Sequence, residues 1–436
     1  MLIASHSALS QGGDSAKSSP WSKHFQLTVI SQIHSGFPSA YSGDKSLDNA
    51  VEPWAVSMTT TLFIGRKLWK GAAFYFNPEM SGGHGLSFAS GVAGALNGET
   101  YRVGAVEPEI FIARAYVEQH FPLGNTDYED VDDDVNQLKE KIPTSRITLS
   151  AGKFAVADFF DDNTYSKDPR TQFFNWAVWA NGAWDYPANT RGYTFGLAAA
   201  LYKPGWAIRF SSVAVPTIAN FHTMEYNVHA HSETLELQHN LMLNNRKGMI
   251  RVLANNTHSR APSYAEGIKA IPAQDSFLLD VIKGAEENNK YGGHKFGLGV
   301  NLEQELSDAV GVFARAGWND GKYVSWAFTE IDNTFSIGTS IKGSPWKRPD
   351  DVWAIALASN GLSSGHKTFL GDGGYGFIIG DGQQNYSRES ILETYYSILL
   401  SAHFWLTFDY QFINNPAYNM DRGPVHVFAF RGHIEL

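Results

Sequence analysis

Residues 404–412, FWLTFDYQF, carry a pattern that recurs along the whole chain. Apolar or aromatic side chains alternate with more polar ones through the stretch. The first set is Phe404, Leu406, Phe408, Tyr410 and Phe412, and the second is Trp405, Thr407, Asp409 and Gln411. Since successive side chains of a β-strand point to opposite faces, this period of two predicts a strand with one apolar and one polar face.

The same alternation predicts further strands from near the beginning of the chain to its end. In residues 111–118, Phe111 and Ala113 are assigned to the apolar face and Arg114 to the polar face, and Tyr193 begins another apolar row. The final stretch places Phe428 on its apolar face. The predicted strands cover residues 25–34, 56–64, 72–77, 111–118, 146–151, 193–201, 206–211, 234–241, 250–255, 312–319, 404–412 and 425–436.

Alternation alone fits both a soluble β-sandwich and a membrane barrel, so the connections between strands have to separate the two. They alternate in length, which is typical of a porin with long loops outside and tight turns on the periplasmic side. We therefore predict an all-β fold, one closed antiparallel transmembrane β-barrel of about 16 strands with long extracellular loops folded into its lumen. The long connections are 34–53, 78–107, 155–191, 214–230, 260–292 and 361–390, and the exceptions to the alternation are a long break at 122–144 and a short one at 319–322.

Composition narrows the function classes. The absence of Cys from all 436 residues excludes disulfides, thiolate metal sites and Cys nucleophiles. A net charge of −10 argues against a nucleic-acid partner. No uncharged apolar run is long enough for a membrane-spanning helix, but a closed barrel needs none. We expect residues 1–20 to be a flexible N-terminal tail and residues 21–436 to form a single barrel domain.

Residues 171–195, TQFFNWAVWANGAWDYPANTRGYTF, combine Trp with Asn and Arg. Aromatic rings stack on the apolar face of a pyranose, while amide and guanidinium groups hydrogen-bond its hydroxyls. The composition fits a Trp-rich core loop equally well. We predict that the loop 155–191 enters the lumen as a constriction loop, and that Trp176 or Trp179 stacks on a passing sugar.

No motif points to catalysis or to a metal. The acidic run 127–134, DYEDVDDD, could coordinate Ca²⁺, but it lacks the EF-hand register and is interpreted as a solvated acidic turn. The His residues show no metal-binding spacing, and the chain has no G-x-S-x-G elbow. We therefore predict no enzyme activity, no metal and no cofactor. A soluble or surface glycan-binding β-protein or glycosidase remains the alternative from another class.

Four stretches carry a resemblance to a known family. They are WKGAAFYFNPEMSGGHGLS (69–87), EIFIARAYVEQHF (109–121), LSAGKFAVADFFDDNTYSKDPRTQFFNWAVWANGAWDYPANTRGYTFG (149–196) and NPAYNMDRGPVHVFAFRGHIEL (415–436). The chain resembles the OprB-type carbohydrate-selective porins of Gram-negative outer membranes. The resemblance implies a single barrel whose loops narrow a pore that passes small sugars passively. The acidic run 127–134 is not matched to the family.

The resemblance also supplies candidate pore residues and partners. Its partners are small sugars and outer-membrane lipid, with no nucleic acid, and the assembly is a monomer or a trimer. A general or anion-type porin on the same fold is the nearest alternative. The residues carried over as substrate-binding or constriction candidates are Glu79, Glu109, Arg114, Asp168, Arg170, Asn175, Trp176 and Trp179.

Overall fold

The computed structural model describes residues 19–100 and 105–436, so most of the predicted tail, residues 1–20, lies outside the described residues. The described part of the chain contains 18 β-strands and four short α-helices. The strands are β1 Trp21–His34, β2 Ala55–Lys67, β3 Ala72–Gly83, β4 Glu109–Pro122, β5 Tyr128–Val131, β6 Glu140–Pro143, β7 Arg146–Phe154, β8 Thr194–Lys203, β9 Trp206–Val213, β10 His231–Leu243, β11 Arg246–Ser259, β12 Gly293–Glu305, β13 Val310–Asn319, β14 Asn333–Gly343, β15 Arg348–Gly361, β16 Glu389–Ser401, β17 Phe404–Asn414 and β18 Val425–Glu435. The helices are α1 Trp176–Trp179, α2 Tyr264–Ala273, α3 Ser276–Ile282 and α4 Ser364–Gly371.

Sixteen of the strands form one closed antiparallel barrel, which confirms the predicted fold. Each barrel strand pairs with its neighbours along the chain, except that β4 pairs directly with β7 and the hairpin β5–β6 stands apart. The last strand closes the ring on the first, with Leu27 opposite Ile434. None of the described helices is long and apolar enough to cross a membrane.

The two faces of the barrel have opposite character, as the alternation predicts. In β17, Phe408 is 43% exposed on the outer face, whereas Thr407 and Gln411 are buried on the inner face. In β18, Phe428 is exposed outside and Arg431 is buried inside. The apolar face therefore points to lipid, and the polar face points into the lumen, where loops cover it.

Large aromatic side chains mark both ends of the outer surface. Trp21, Trp69 and Trp206 are exposed beside the short turns, and Trp54 and Trp318 are exposed near the long loops. Aromatic girdles of this kind lie at the two interfaces of a membrane barrel. The apolar band between them corresponds to the membrane-spanning part of the strands.

Three details of the predicted pattern are wrong. A β-bulge between Asn77 and Pro78 leaves Ala113 without a partner in the β3–β4 ladder, so the alternation reverses there and Phe111 faces inward instead of outward. Tyr193 precedes β8 rather than belonging to it, and its ring is completely buried inside the barrel. The break predicted at 319–322 is a long loop from 320 to 332.

The barrel orientation makes a depth-dependent prediction. Leu237 lies at the middle of β10 on the outer face, and Leu243 lies at its end beside a short turn. Leu237→Arg should destabilise the barrel by about 2–4 kcal/mol, and Leu243→Arg by about 0–1 kcal/mol, because the cost of an arginine falls toward the interface. Urea unfolding from lipid vesicles measures both. Equal costs at the two positions would contradict the assigned lipid-facing surface.

Candidate functional site

The connection between β7 and β8, residues 155–193, folds into the lumen, and α1 forms its centre. Asn175 caps α1 by accepting a hydrogen bond from the amide of Ala177. The same side chain donates to Gln411 at 3.1 Å, and the amides of Phe174 and Asn175 donate to the carboxylate of Glu393. Both acceptors lie on the inner face, so Asn175 fixes the loop to the wall at β16 and β17.

Asp161 fixes the same loop to a different part of the wall. Its carboxylate accepts from Asn301 at 2.7 Å and from Arg315 at 3.2 Å, and its amide donates to Glu236 at 2.8 Å. These partners belong to β12, β13 and β10. Arg170, further along the loop, contacts β1, β2 and β3 on the far side of the ring. The loop therefore crosses the lumen from one side to the other.

A second loop, residues 84–108, has described parts at 84–100 and 105–108, and residues 93–98 of it accompany the first loop into the lumen. The amides of Ala93 and Gly94 donate to the carboxylate of Glu389. The two loops also bond to each other, since the amide of Trp176 donates to Ala95 and that of Gly98 donates to Phe174. The length of the second loop places it among the long connections that were predicted to fold into the lumen, but none of its residues was singled out as a candidate for the site.

The charged centre of the site is Arg170. Its guanidinium donates to Glu79 at 2.8 Å, to Glu99 at 3.1 Å and to Thr61 at 2.8 Å. The Tyr193 hydroxyl also donates to Glu79, at 3.2 Å. Two predicted residues, Glu79 and Arg170, thus lie together. Glu99 was missed, because nothing in its local sequence marks it as the partner of an arginine about 70 residues away.

Arg114 makes a bidentate ion pair with Asp158, at 2.7 and 2.6 Å. Burial raises the pKa of Asp158, but the Arg114 guanidinium outweighs this and holds the pKa below its ordinary value. The pair stays ionised at neutral pH, and its stabilising effect is lost only as the pH falls through that lowered pKa. Arg114 is buried, while the Asp158 side chain is 23% exposed.

Glu109 and Asp168 occupy the edges of this region. Glu109 begins β4 at the long-loop end and forms an ion pair with Arg191 of the inserted loop. Asp168 lies in the inserted loop, where its carboxylate accepts from the amide of Arg170 at 2.9 Å. Glu109 is exposed and Asp168 is half-buried.

The tryptophan rings lie in the packed core of the inserted loops. Trp176 is 2% exposed, with Tyr186 and Phe328 stacked on it at centroid distances of 5.5 and 4.8 Å. Trp179 is also buried, with its ring against Trp176 and Gly98. The expectation that either ring stacks on a sugar does not fit this packing, because neighbouring side chains already cover the rings.

A family profile described as "Carbohydrate-selective porin, OprB family" matches residues 53–436. The chain belongs to the OprB family of carbohydrate-selective porins. It is a sugar-selective channel of the bacterial outer membrane. No curated protein sequence matches the chain. The proteins that the chain does match are channels rather than enzymes.

Solved structures agree with the OprB fold. The high-pH structure of Pseudomonas putida OprB has a TM-score of 0.68 at 14% identity, covering 96% of this chain and 94% of that chain. The outer membrane channel DcaP of Acinetobacter baumannii has a TM-score of 0.51 at 9% identity, covering 98% of this chain and 100% of that one. At these identities the likeness concerns the barrel fold alone.

Proposed function

We propose that this porin passes mono- and small oligosaccharides by facilitated diffusion past the charged groups held between the inserted loops and the inner wall of β3 and β4. The observation that carries the proposal is the arrangement of these groups in opposite pairs, Arg170 with Glu79 and Glu99, and Arg114 with Asp158. Such pairs present fixed donors and acceptors without a large net charge. The partly exposed groups beside the passage, Asp158, Asp168 and Glu109, offer hydrogen bonds to a neutral polyhydroxyl solute, while the buried pairs fix the shape of the passage.

The partners of each charged group keep it in place as a solute passes. Arg114 is held by both Asp158 oxygens, and Arg170 by two carboxylates and a hydroxyl. Sugar binding at such a site stays weak, because the charged groups already satisfy one another. Weak binding is what conduction requires, since a tight site would stop the flow.

The eight candidate residues then contribute to the constriction in two ways. Polar groups at or near the passage contact the solute or hold those that do. Asn175, Trp176 and Trp179 set the width instead, because they form the rigid folded centre of the inserted loop. The polar set is Glu79, Glu109, Arg114, Asp168 and Arg170.

Arg114→Ala tests the polar part of this proposal. Removing the guanidinium that fixes Asp158 beside the passage should raise ion conductance and weaken sugar block of the current about 10-fold or more, as for loss of a hydrogen bond to a charged group. Arg348→Ala is the matched control, because Arg348 pairs with Asp351 at the short-turn end of β15, away from the inserted loops. Single-channel recordings with and without maltose measure both quantities. Unchanged conductance and block in Arg114→Ala would show that Arg114 is part of the barrel wall and has no role in sugar selection.

The same recordings separate this proposal from a general porin on the same fold. A sugar-selective passage gives a current that neutral sugars reduce in a saturable way. A general porin lacks a site to saturate, so its current falls only with the viscosity of the solution. Saturable block in the wild-type protein supports the sugar pathway, and its absence would favour the general porin.

A further inference from the structure

The connection between β4 and β7 differs from every other described turn at its end of the barrel. It spans residues 123–145, whereas the other turns at that end are as short as residues 204–205 and 244–245. It folds into the hairpin β5–β6, in which Tyr128 pairs with Pro143 and Val131 with Glu140. The short turns place it on the periplasmic side.

The hairpin reaches from the rim into the barrel, although residues 128–130 of β5 are exposed. Asn77 in the middle of β3 faces inward, and its side chain donates to Asn136 beyond the end of β5. Asn77 is also the ladder partner of Arg114. The hairpin therefore reaches from the periplasmic rim to the level of the Arg114 ion pair.

The inner wall beneath the hairpin carries apolar side chains that the hairpin covers. Phe63 and Tyr75 face inward on β2 and β3, yet both are almost fully buried. Leu138 of the hairpin packs against this region, next to Phe63 and close to Gly65. Exposure of aromatic side chains to water in the lumen is unfavourable, and the hairpin removes this exposure by covering them. The packing indicates that the hairpin is part of the folded pore wall.

The other side of the hairpin is strongly acidic. Residues 127–145 contain seven carboxylates and two lysines. Asp130 pairs with Lys141, and Asp133 contacts Ser22 and His24 on β1. The remaining exposed carboxylates of the hairpin include Asp127, Asp132 and Asp134.

We propose that this hairpin is a second, periplasmic constriction that selects against anionic sugars. The inference rests on the proposed sugar pathway. A solute that passes Arg114 next meets a narrowed exit with excess negative charge, and the field is focused by the low-dielectric barrel wall. This electrostatic field has little effect on neutral sugars, whereas it repels uronates and sugar phosphates. The selection is expected at about 0.1 M salt, where the Debye length is about 10 Å, and is screened at about 1 M salt, where it is about 3 Å.

The test neutralises three exposed carboxylates that make no ion pair in the described structure, as Asp127→Asn, Asp132→Asn and Asp134→Asn together. The matched control neutralises exposed carboxylates of the long loops, as Glu107→Gln, Glu286→Gln and Asp372→Asn together. Reversal potentials are measured under a KCl gradient, and liposome swelling is measured with galactose and with potassium galacturonate.

The hairpin variant should lose cation preference and admit galacturonate several-fold faster, while its galactose flux stays the same. The long-loop variant should match the wild-type protein at about 0.1 M salt. A hairpin variant with wild-type reversal potential and galacturonate flux would overturn the proposal. Absence of galactose flux in the wild-type protein would instead defeat the proposed sugar pathway, so the two failures are distinguishable.

A deletion tests the geometric half of the proposal. Replacing residues 127–143 with a short Gly-Ser turn should raise conductance, because the hairpin occupies lumen beside Asn77. Heat-modifiable gel mobility shows whether the deleted protein still forms a barrel. A folded deletion variant with wild-type conductance would overturn the assignment of the hairpin as a constriction.

Discussion

Arg170→Met is expected to loosen both inserted loops and to raise the single-channel conductance several-fold. Arg170 is the common partner of Glu79 on the wall and Glu99 in the second loop, and all three side chains are almost completely buried. Arg170 is a cationic partner of both carboxylates, and breaking a buried ion pair by removing one member costs about 3–5 kcal/mol. The two carboxylates regain hydration only if the loops move away and admit water.

A variant that also lacks the two carboxylate charges separates the effect of charge from the effect of side-chain packing. Replacing Glu79 and Glu99 with Gln in the Arg170→Met background removes the two buried negative charges that Arg170 pairs with, so conductance and urea stability should return most of the way to wild type. Arg246→Met is the control, since its ion pairs with Glu305 and Asp308 lie at the exposed rim, where solvent screens them. Wild-type conductance in Arg170→Met would show that the loops are held by other contacts.

The barrel was predictable because its outer and inner faces contact surroundings of different polarity. Lipid outside and polar groups inside impose a period of two on each strand, and residues 404–412 show it without interruption. The bulge at Asn77 and Pro78 was not predictable, because one extra residue in a ladder depends on the partner strand as much as on β4 itself. The inward position of Phe111 follows from that bulge.

The site was predictable only where one segment carried its own signal. The aromatic and amide-rich stretch 171–195 indicated an inserted loop, and the loop does cross the lumen. Its tryptophans were assigned to sugar because composition cannot distinguish a ring that is covered from one that is free. The loop 84–108 gave no such signal, because its position depends on contacts with Trp176, Phe174 and Glu389, far away in the sequence.

The hairpin in residues 123–145 shows the same limit of prediction from a local sequence, because it was identified by its charges and not by its buried residues. Its acidic run was interpreted as a solvated turn, which holds for the exposed carboxylates. The interpretation missed that Leu138 and Ile142 are buried inside the barrel. Those apolar residues are too few to form a recognisable pattern, and Leu138 belongs to a buried cluster with Phe63 and Tyr75 on neighbouring strands.

Removing the centre of the first inserted loop should produce the largest change in permeation. Replacing residues 160–187 with a short Gly-Ser linker leaves the strand ladder intact, because the sixteen barrel strands pair with one another and not with the loop.

Loss of this segment should also release the loop 84–108, which bonds to Trp176 and Phe174. Glu393 and Arg315 would then become hydrated, and a barrel of this strand number without inserted loops encloses an open aqueous channel. We therefore expect conductance to rise several-fold and saturable sugar block to disappear.

The matched control for this deletion removes residues 226–229, the tip of a long loop in which Tyr226 and Val228 are highly exposed. That deletion should leave both conductance and sugar block unchanged. If sugar block survives removal of residues 160–187, selection resides in the wall and the periplasmic hairpin rather than in the inserted loop. Because the Arg114–Asp158 pair lies outside the deleted segment, loss of block in the deletion together with weakened block in Arg114→Ala would show that selection needs both this pair and the inserted loop.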